Sequence, residues 1–263
     1  MRVLTLNKFD MSIISQAFRQ FSKSSRSLRV ATFNTLNTKD RYSEREGWLK
    51  ENIYRLDADI IGLQECVFGP RSLDELMNVD SSTEQRHNLS GKPGLNLRDY
   101  TPHLAPVQLQ LFEIWTAQPD PLARLDGNVI GTDKARFGAK GSGAEFEIIS
   151  NEVLQVSGVR NCQMLTCRDT LVDKHMVMIN LHLHNPMEKK ELGDYLRAHQ
   201  AEQMLHWLKA KQQEVDVDKI FVVGDFNTTP TETSYRLMKE VGFKSAYEVI
   251  HGEEPEWTFG TGL

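Results

Sequence analysis

Asp225 and Asn227 stand one residue apart, directly after the apolar run Ile220, Phe221, Val222, Val223 and the turn-forming Gly224. A run of β-branched and aromatic residues that stops at a polar cluster reads as a buried strand delivering side chains to the rim of a sheet. At such a rim Asp225 can take a proton or hold a cation, and Asn227 can orient or donate to an oxygen. An Asx-turn that merely closes the strand would use the same two residues. The strand-then-polar pattern recurs elsewhere: Asn34 follows RVATF, Glu65 follows DIIGL, and His182 and His184 sit in VMINLHLHNP. Taken singly, Asn34 could cap a turn, Glu65 could be a solvated acid, and the two histidines could be core residues or a metal pair. A set of strand ends that all carry polar side chains is what an α/β active site needs.

The elements that must hold these residues are legible in outline. Leu28–Phe33 and Asp59–Leu63 read as strands flanking a helix over Glu44–Leu56, in which Leu49, Ile53 and Leu56 share a face. This strand–helix–strand order suits an α/β layer. Glu145–Ile149, Cys162–Cys167 and Met176–Leu183 read as three further strands, and Glu188–Ala210 as a helix with Ala198, Ala201, Met204, Leu205 and Leu208 inward. After the strand Ile220–Val223, Thr231 is placed to cap a helix carrying Tyr235, Met238 and Val241, closed by Gly242. Ser245–Val249 is strand-like, and the tail beyond it is loop-like. Residues 69–145 are rich in Gly, Pro, Ser and Asn, with short elements such as Ala105–Ile114. Within them Gly127–Gly143 reads as a mobile basic loop, either a solvated connection or a phosphate-gripping loop with Lys134, Arg136 and Lys140.

The bulk properties narrow the partners. A chain of 263 residues with 40% hydrophobic and 25% charged residues fits one large α/β domain. The net charge of −5 shows no global nucleic-acid footprint, so any phosphate-binding surface is local. Three cysteines are an odd count that fits a reducing compartment rather than a disulfide framework. No apolar stretch approaches the roughly 18 residues of a membrane span. Residues 1–27 carry Arg2, Lys8, Arg19, Lys23 and Arg26 against Asp10 and are rich in serine. They read as a mitochondrial transit peptide or as a poorly ordered extension before a domain over 28–263, so the expected location is intracellular, cytoplasmic or mitochondrial.

In chain order, TFNTLN, DIIGLQE, INLHLHNP and VVGDFNTTP resemble the motifs of the endonuclease/exonuclease/phosphatase superfamily, the DNase I-like fold, over about Leu28 to Leu263. The HLHNP string and the late SAYE and EPEWTF stretches are closest in style to its deadenylase-like branch. The resemblance implies a two-sheet, four-layer α/β sandwich with the site at one edge. It implies a divalent metal, magnesium or in its place manganese, and hydrolysis of a phosphate ester, single-stranded RNA among the substrates. By position it implies that Glu65 ligates the metal with Asn34 beside it, that His182 contacts the scissile phosphate, and that Asp225 and Asn227 orient the attacking water. His184, Lys134 and Arg136 are candidate substrate contacts. The competing functions are a phosphatase of a small phosphorylated metabolite or lipid headgroup, and a binding protein that kept the fold without turnover. A zinc site built on His182 and His184 would explain none of the other clusters. The family's pattern continues with an aspartate-bearing strand and a Ser-Asp-His loop, and nothing after Asn227 supplies them. The expectation is therefore a domain lacking its final strands, with an exposed sheet edge and without an acid/base group worth about 10²–10⁴-fold in rate.

Overall fold

The apolar runs become the centres of strands longer than the runs themselves. The computed structural model describes residues 2–5, 27–35, 48–49, 51–53, 55–68, 100–106, 125–157, 160–185, 189–255 and 258. Its strands are β1 (Arg2–Thr5), β2 (Arg29–Asn34), β3 (Ile60–Phe68), β4 (Tyr100–Pro106), β5 (Leu125–Asp133), β6 (Phe137–Ala139), β7 (Phe146–Ser157), β8 (Arg160–Asp169), β9 (Lys174–His182) and β10 (Val217–Asp225). Residues 48, 49, 51–53 and 55 are helical (α1), followed by α2 (Lys190–Glu214), α3 (Thr233–Glu240) and α4 (Ala246–His251).

The strands form two five-stranded sheets, ordered β1-β2-β3-β5-β4 and β10-β9-β8-β7-β6. In the first, β1, β2 and β3 are parallel and the β3–β5–β4 run is antiparallel. In the second, β9 and β10 are parallel, β7, β8 and β9 alternate, and β6 lies parallel to β7. Two of the parallel pairs are joined by helical crossovers: α1 lies between β2 and β3, and α2 between β9 and β10. Residues 2–5, assigned from sequence to an extension, pair in register with β2, the segment RVLT lying against RVAT.

Three apolar clusters separate four layers. Ile53 of α1 and Leu56 in the turn after it pack with Ala31, Ile61 and Leu63 on the outer face of the first sheet. Val30, Ile60, Ile130, Leu165, Met176, Met178, Phe221 and Val223 fill the space between the sheets. Val177, Ile179 and Leu181 pack on Met204 and Leu208 of α2 and Met238 of α3. The period of two in β9 explains the split: Met176, Met178, Asn180 and His182 point to the sheet interface, and the residues between them to α2. Strands buried on both faces need near-continuous apolar runs, which is why these were readable as sequence.

Towards one end the interface turns polar. The Gln64 amide donates to Asn180 Oδ1 (2.6 Å), and Asn180 donates to the carbonyls of Leu63 (2.9 Å) and Val129 (3.0 Å). Asn128 donates to Asn161 Oδ1 (2.9 Å), which in turn donates to the Ala105 carbonyl (2.9 Å). This carboxamide layer locks the register of one sheet on the other. It needs Gly62, because a Cβ there would lie 2.7 Å from Val223 and 2.9 Å from Asn180 Oδ1.

Several sequence expectations are corrected. Gly127–Gly143 is not a mobile loop: it contains most of β5, a tight turn and β6. Glycine there serves packing, since a Cβ on Gly131 would press on Ile61 at 3.1 Å and Tyr100 at 3.4 Å. Ser245–Val249 is helical rather than strand-like, because Ser245 accepts the Glu248 N–H and Gly252, at φ 84°, closes the turn. Thr231 is not the cap of α3; the N-cap is Glu232, and Asp194 of α2 accepts from the Thr233 amide (2.9 Å) and hydroxyl (2.7 Å). The start of the Glu44–Leu56 helix, residues 107–114 and most of residues 1–27 lie outside the described residues. Among the described residues, no helix is long and apolar enough to cross a membrane.

Candidate active site

Asn34, His182 and Asp225 are the last residues of β2, β9 and β10, so the C-terminal ends of parallel strands from both sheets meet at one edge. Glu65 reaches the same place by a different route. Its strand does not end there, as the sequence suggested, but runs on to Phe68, and Glu65 sits in a bulge where the β3–β5 register shifts between Leu63 and Cys66. Its backbone is left-handed, φ 54°, and a bulge of this kind re-aims a side chain out of the ladder. The Thr35 hydroxyl donates to the carbonyls of Gln64 (3.0 Å) and Glu65 (2.9 Å) and so holds the bulge.

Across the gap between the sheets, Asn34 Nδ2 donates to Glu65 Oε1 (3.0 Å) and to Asp225 Oδ2 (2.9 Å). One carboxamide thereby brings two carboxylates together that would otherwise repel. His182, buried at 5% exposure, places Nε2 3.8 Å from Glu65 Oε1 and 3.9 Å from Asp225 Oδ2. The ligand atoms of Glu65, His182 and Asp225 all lie within 4.8 Å of one another. Two carboxylate oxygens and an imidazole nitrogen form a donor set that a hard divalent cation can use, with water completing its shell.

Asn227 stands on the same rim. Its backbone is also left-handed, φ 49°, and its N–H donates to Asp225 Oδ1 (2.9 Å). Its carboxamide donates to the Leu183 carbonyl (3.1 Å) and to Asn185 Oδ1 (3.3 Å). With both amide hydrogens committed, the carbonyl oxygen is the atom left to accept from a water or substrate hydroxyl. Gly224 makes this approach of β10 to β9 possible: at φ 135°, a Cβ there would meet the Leu181 carbonyl oxygen at 1.9 Å.

Five predicted residues thus converge: Asn34, Glu65, His182, Asp225 and Asn227. The candidate substrate contacts do not join them as a group. His184 lies just past β9, its N–H held by Gln200 Oε1 (2.8 Å) and its ring near the Asn185 carbonyl (3.0 Å). Lys134 and Arg136 lie at the opposite end of the strands. Arg136 pairs with Asp59 (2.9 Å), whose strand must run about 20 Å to reach Glu65, and with Glu145. Phe137, considered for base stacking, is buried and stacked on Phe146 at 4.9 Å; Trp257 lies outside the described residues. Sequence reasoning missed Thr35, Gln64, Asn180, Asn185 and Gln200. Their signal is weak because each acts through a carboxamide or hydroxyl that any solvated loop could also carry.

No protein-family model and no curated protein sequence matches the chain. Solved structures do. The human Nocturnin catalytic domain with bound sulfate anion is 18% identical, with 87% of this chain and 76% of that one covered at a TM-score of 0.61. An endonuclease/exonuclease/phosphatase protein from Bacteroides vulgatus is 16% identical, covering 81% and 70% at a TM-score of 0.55. The D. rerio TDP2 complexed with single strand DNA product is 13% identical, covering 86% and 70% at a TM-score of 0.50. At these identities the likeness is one of architecture, and it agrees with the motifs in order along the chain: the protein has the DNase I-like fold of the endonuclease/exonuclease/phosphatase superfamily.

Proposed function

We propose that the chain is a divalent-cation-dependent phosphate-ester hydrolase, acting as a phosphodiesterase on RNA or nucleotides. The observation that carries this reading is the convergence of Glu65, His182 and Asp225 within 4.8 Å at the sheet edge of this fold. Magnesium held by Glu65, with Asn34 beside it, would neutralise charge on the non-bridging oxygens of the phosphate. The chain's own groups supply the rest. Asn34 fixes the two carboxylates relative to each other. His182 donates to a phosphate oxygen from within the buried wall of the site. The Asp225 carboxylate accepts the proton of the attacking water, and the Asn227 carbonyl oxygen orients that water in line. A single-strand product bound to the D. rerio neighbour supports a nucleic-acid substrate.

A second reading, hydrolysis of a small phosphorylated metabolite, is favoured by a different observation. Arg136 is committed to Asp59 and Glu145 at the far end, and the net charge is −5, so a long basic track for a polynucleotide is not evident among the described residues. A panel of oligo(A), mixed RNA, single-stranded DNA, phosphoinositides, a sugar phosphate and a generic phosphodiester, with and without magnesium, separates the two. Glu65→Gln should abolish magnesium binding in calorimetry, and Asp225→Asn should lower kcat about 10²–10⁴-fold. Hydrolysis that persists in EDTA and in both variants would end the proposal.

A further inference from the structure

Helix α2 carries three polar residues at successive three-residue steps, Asp194, Arg197 and Gln200, on the side that faces the rim of the site. Arg197 and Gln200 are buried, Arg197 at 2% exposure. The surrounding face of the helix is Ala198, Ala201, Met204 and Leu208. A methionine at 197 would fill similar volume without desolvating a charge, so packing does not account for the guanidinium.

What Arg197 touches does. Its Nη2 donates to Glu232 Oε1 at 2.7 Å. The other oxygen of Glu232 accepts from the Thr229 amide (2.8 Å) and the Thr228 hydroxyl (2.9 Å), and Thr228 Oγ1 also accepts from the fully buried Ser234 (2.9 Å). The chain of contacts therefore ends on the residue next to Asn227, whose left-handed backbone persists only if its surroundings hold it. Asp194 secures the following turn through Thr233. On the other flank, Gln200 accepts the His184 N–H, beside the Leu183 that donates to the Asp225 carbonyl (2.9 Å) and accepts from Asn227. One helix edge thus holds both segments that leave the strands carrying His182 and Asp225. The remaining donors of Arg197, Nε and Nη1, have no hydrogen-bond partner among the described residues, where Glu232 is its one ion-pair partner within 4 Å and Asp194 adds a longer-range attraction.

We propose that Arg197 is a positioning residue of the site: through Glu232 it holds segment 226–232 so that Asn227 and Asp225 keep their relation to His182. This rests on the hydrolase reading above, and its first readout is independent of activity. In amide hydrogen exchange followed by mass spectrometry, Arg197→Met should raise exchange across 226–232 at least tenfold and leave the β9 core protected. Glu232→Gln, at a half-buried position, should do the same, and it serves as the test where Arg197→Met does not fold. On any substrate the wild type hydrolyses, Arg197→Met should lower kcat 10–100-fold at 25 °C with KM within about twofold, and Arg197→Lys should restore part of it. The double variant should be no worse than the worse single one, since both act along one route. Wild-type exchange across 226–232 in both variants would overturn the proposal, as would additive losses of kcat. A wild type inactive on every substrate would refute the hydrolase reading while leaving the exchange result to decide this one.

Discussion

Asn180 offers the sharpest test of how the two sheets are held in register. Its side chain is fully buried and makes three hydrogen bonds, to Leu63, Val129 and Gln64, at 2.9, 3.0 and 2.6 Å. Asn180→Leu keeps the size and removes all three. Gln64 is not stranded, because it also donates to Thr32 Oγ1 (3.0 Å) and the Gly62 carbonyl (3.1 Å). The carbonyls of Leu63 and Val129 lose their side-chain donor deep in the interface. Two such groups at about 1–3 kcal/mol each, less about 1.5–3 kcal/mol gained from a buried leucine, leave an expected loss of about 2 kcal/mol. That is a large share of a stability of about 5–15 kcal/mol. Thr166→Val is the control, because Thr166 is equally buried in the same sheet but its hydroxyl has no partner among the described residues. Removing that group should be neutral or stabilising by up to about 1 kcal/mol. Urea unfolding followed by far-UV circular dichroism measures both. If Asn180→Leu costs under about 1 kcal/mol, or Thr166→Val costs as much as Asn180→Leu, hydrogen-bond satisfaction is not what fixes the interface.

Other perturbations probe the site and its supports. Gly224→Ala should destabilise by more than about 3 kcal/mol, from combined overlap and backbone strain, whereas Gly143→Ala should cost about 1–2 kcal/mol from strain alone. The contrast follows from the Leu181 oxygen 1.9 Å from the one added Cβ and the open space around the other, and equal effects in thermal melts would refute it. Burial pushes His103 down from 6.5 to about 4, with its Nε2 3.1 Å from Thr132 Oγ1. The unfolded chain therefore takes up this proton at higher pH than the folded one, so stability is full above 6.5 and falls as pH drops towards 4. Between pH 7.5 and pH 5 this residue should account for about 2 kcal/mol, a loss that His103→Asn should not show in paired denaturation curves.

The sequence by itself determined where the candidate site residues stand along the chain. Buried strands must be apolar and must end where the chain meets water, so the ends of RVATF, VMINLHLHNP and IFVVG announced Asn34, His182 and Asp225 from local pattern alone. The same locality made the helices α1 and α2 legible, whereas the two-sheet sandwich was implied only by the resemblance of the ordered motifs to a known superfamily. Pattern failed where the deciding contact was distant in sequence. Gly131 looked like a loop glycine, yet it sits in a strand where Ile61 and Tyr100 press close against it. Arg136 looked available for phosphate, yet Asp59 and Glu145 claim it at the far end. SAYEV looked extended until Ser245 and Gly252 supplied both caps of a helix. Only the tertiary structure put Glu65 in a bulge, joined it to Asp225 through Asn34, which is 191 residues before Asp225, and set Arg197 behind Asn227. The reason is physical: a strand's period is written in its own residues, but which carboxylates share a cation and which cation is already spent depends on the packing of one sheet upon another.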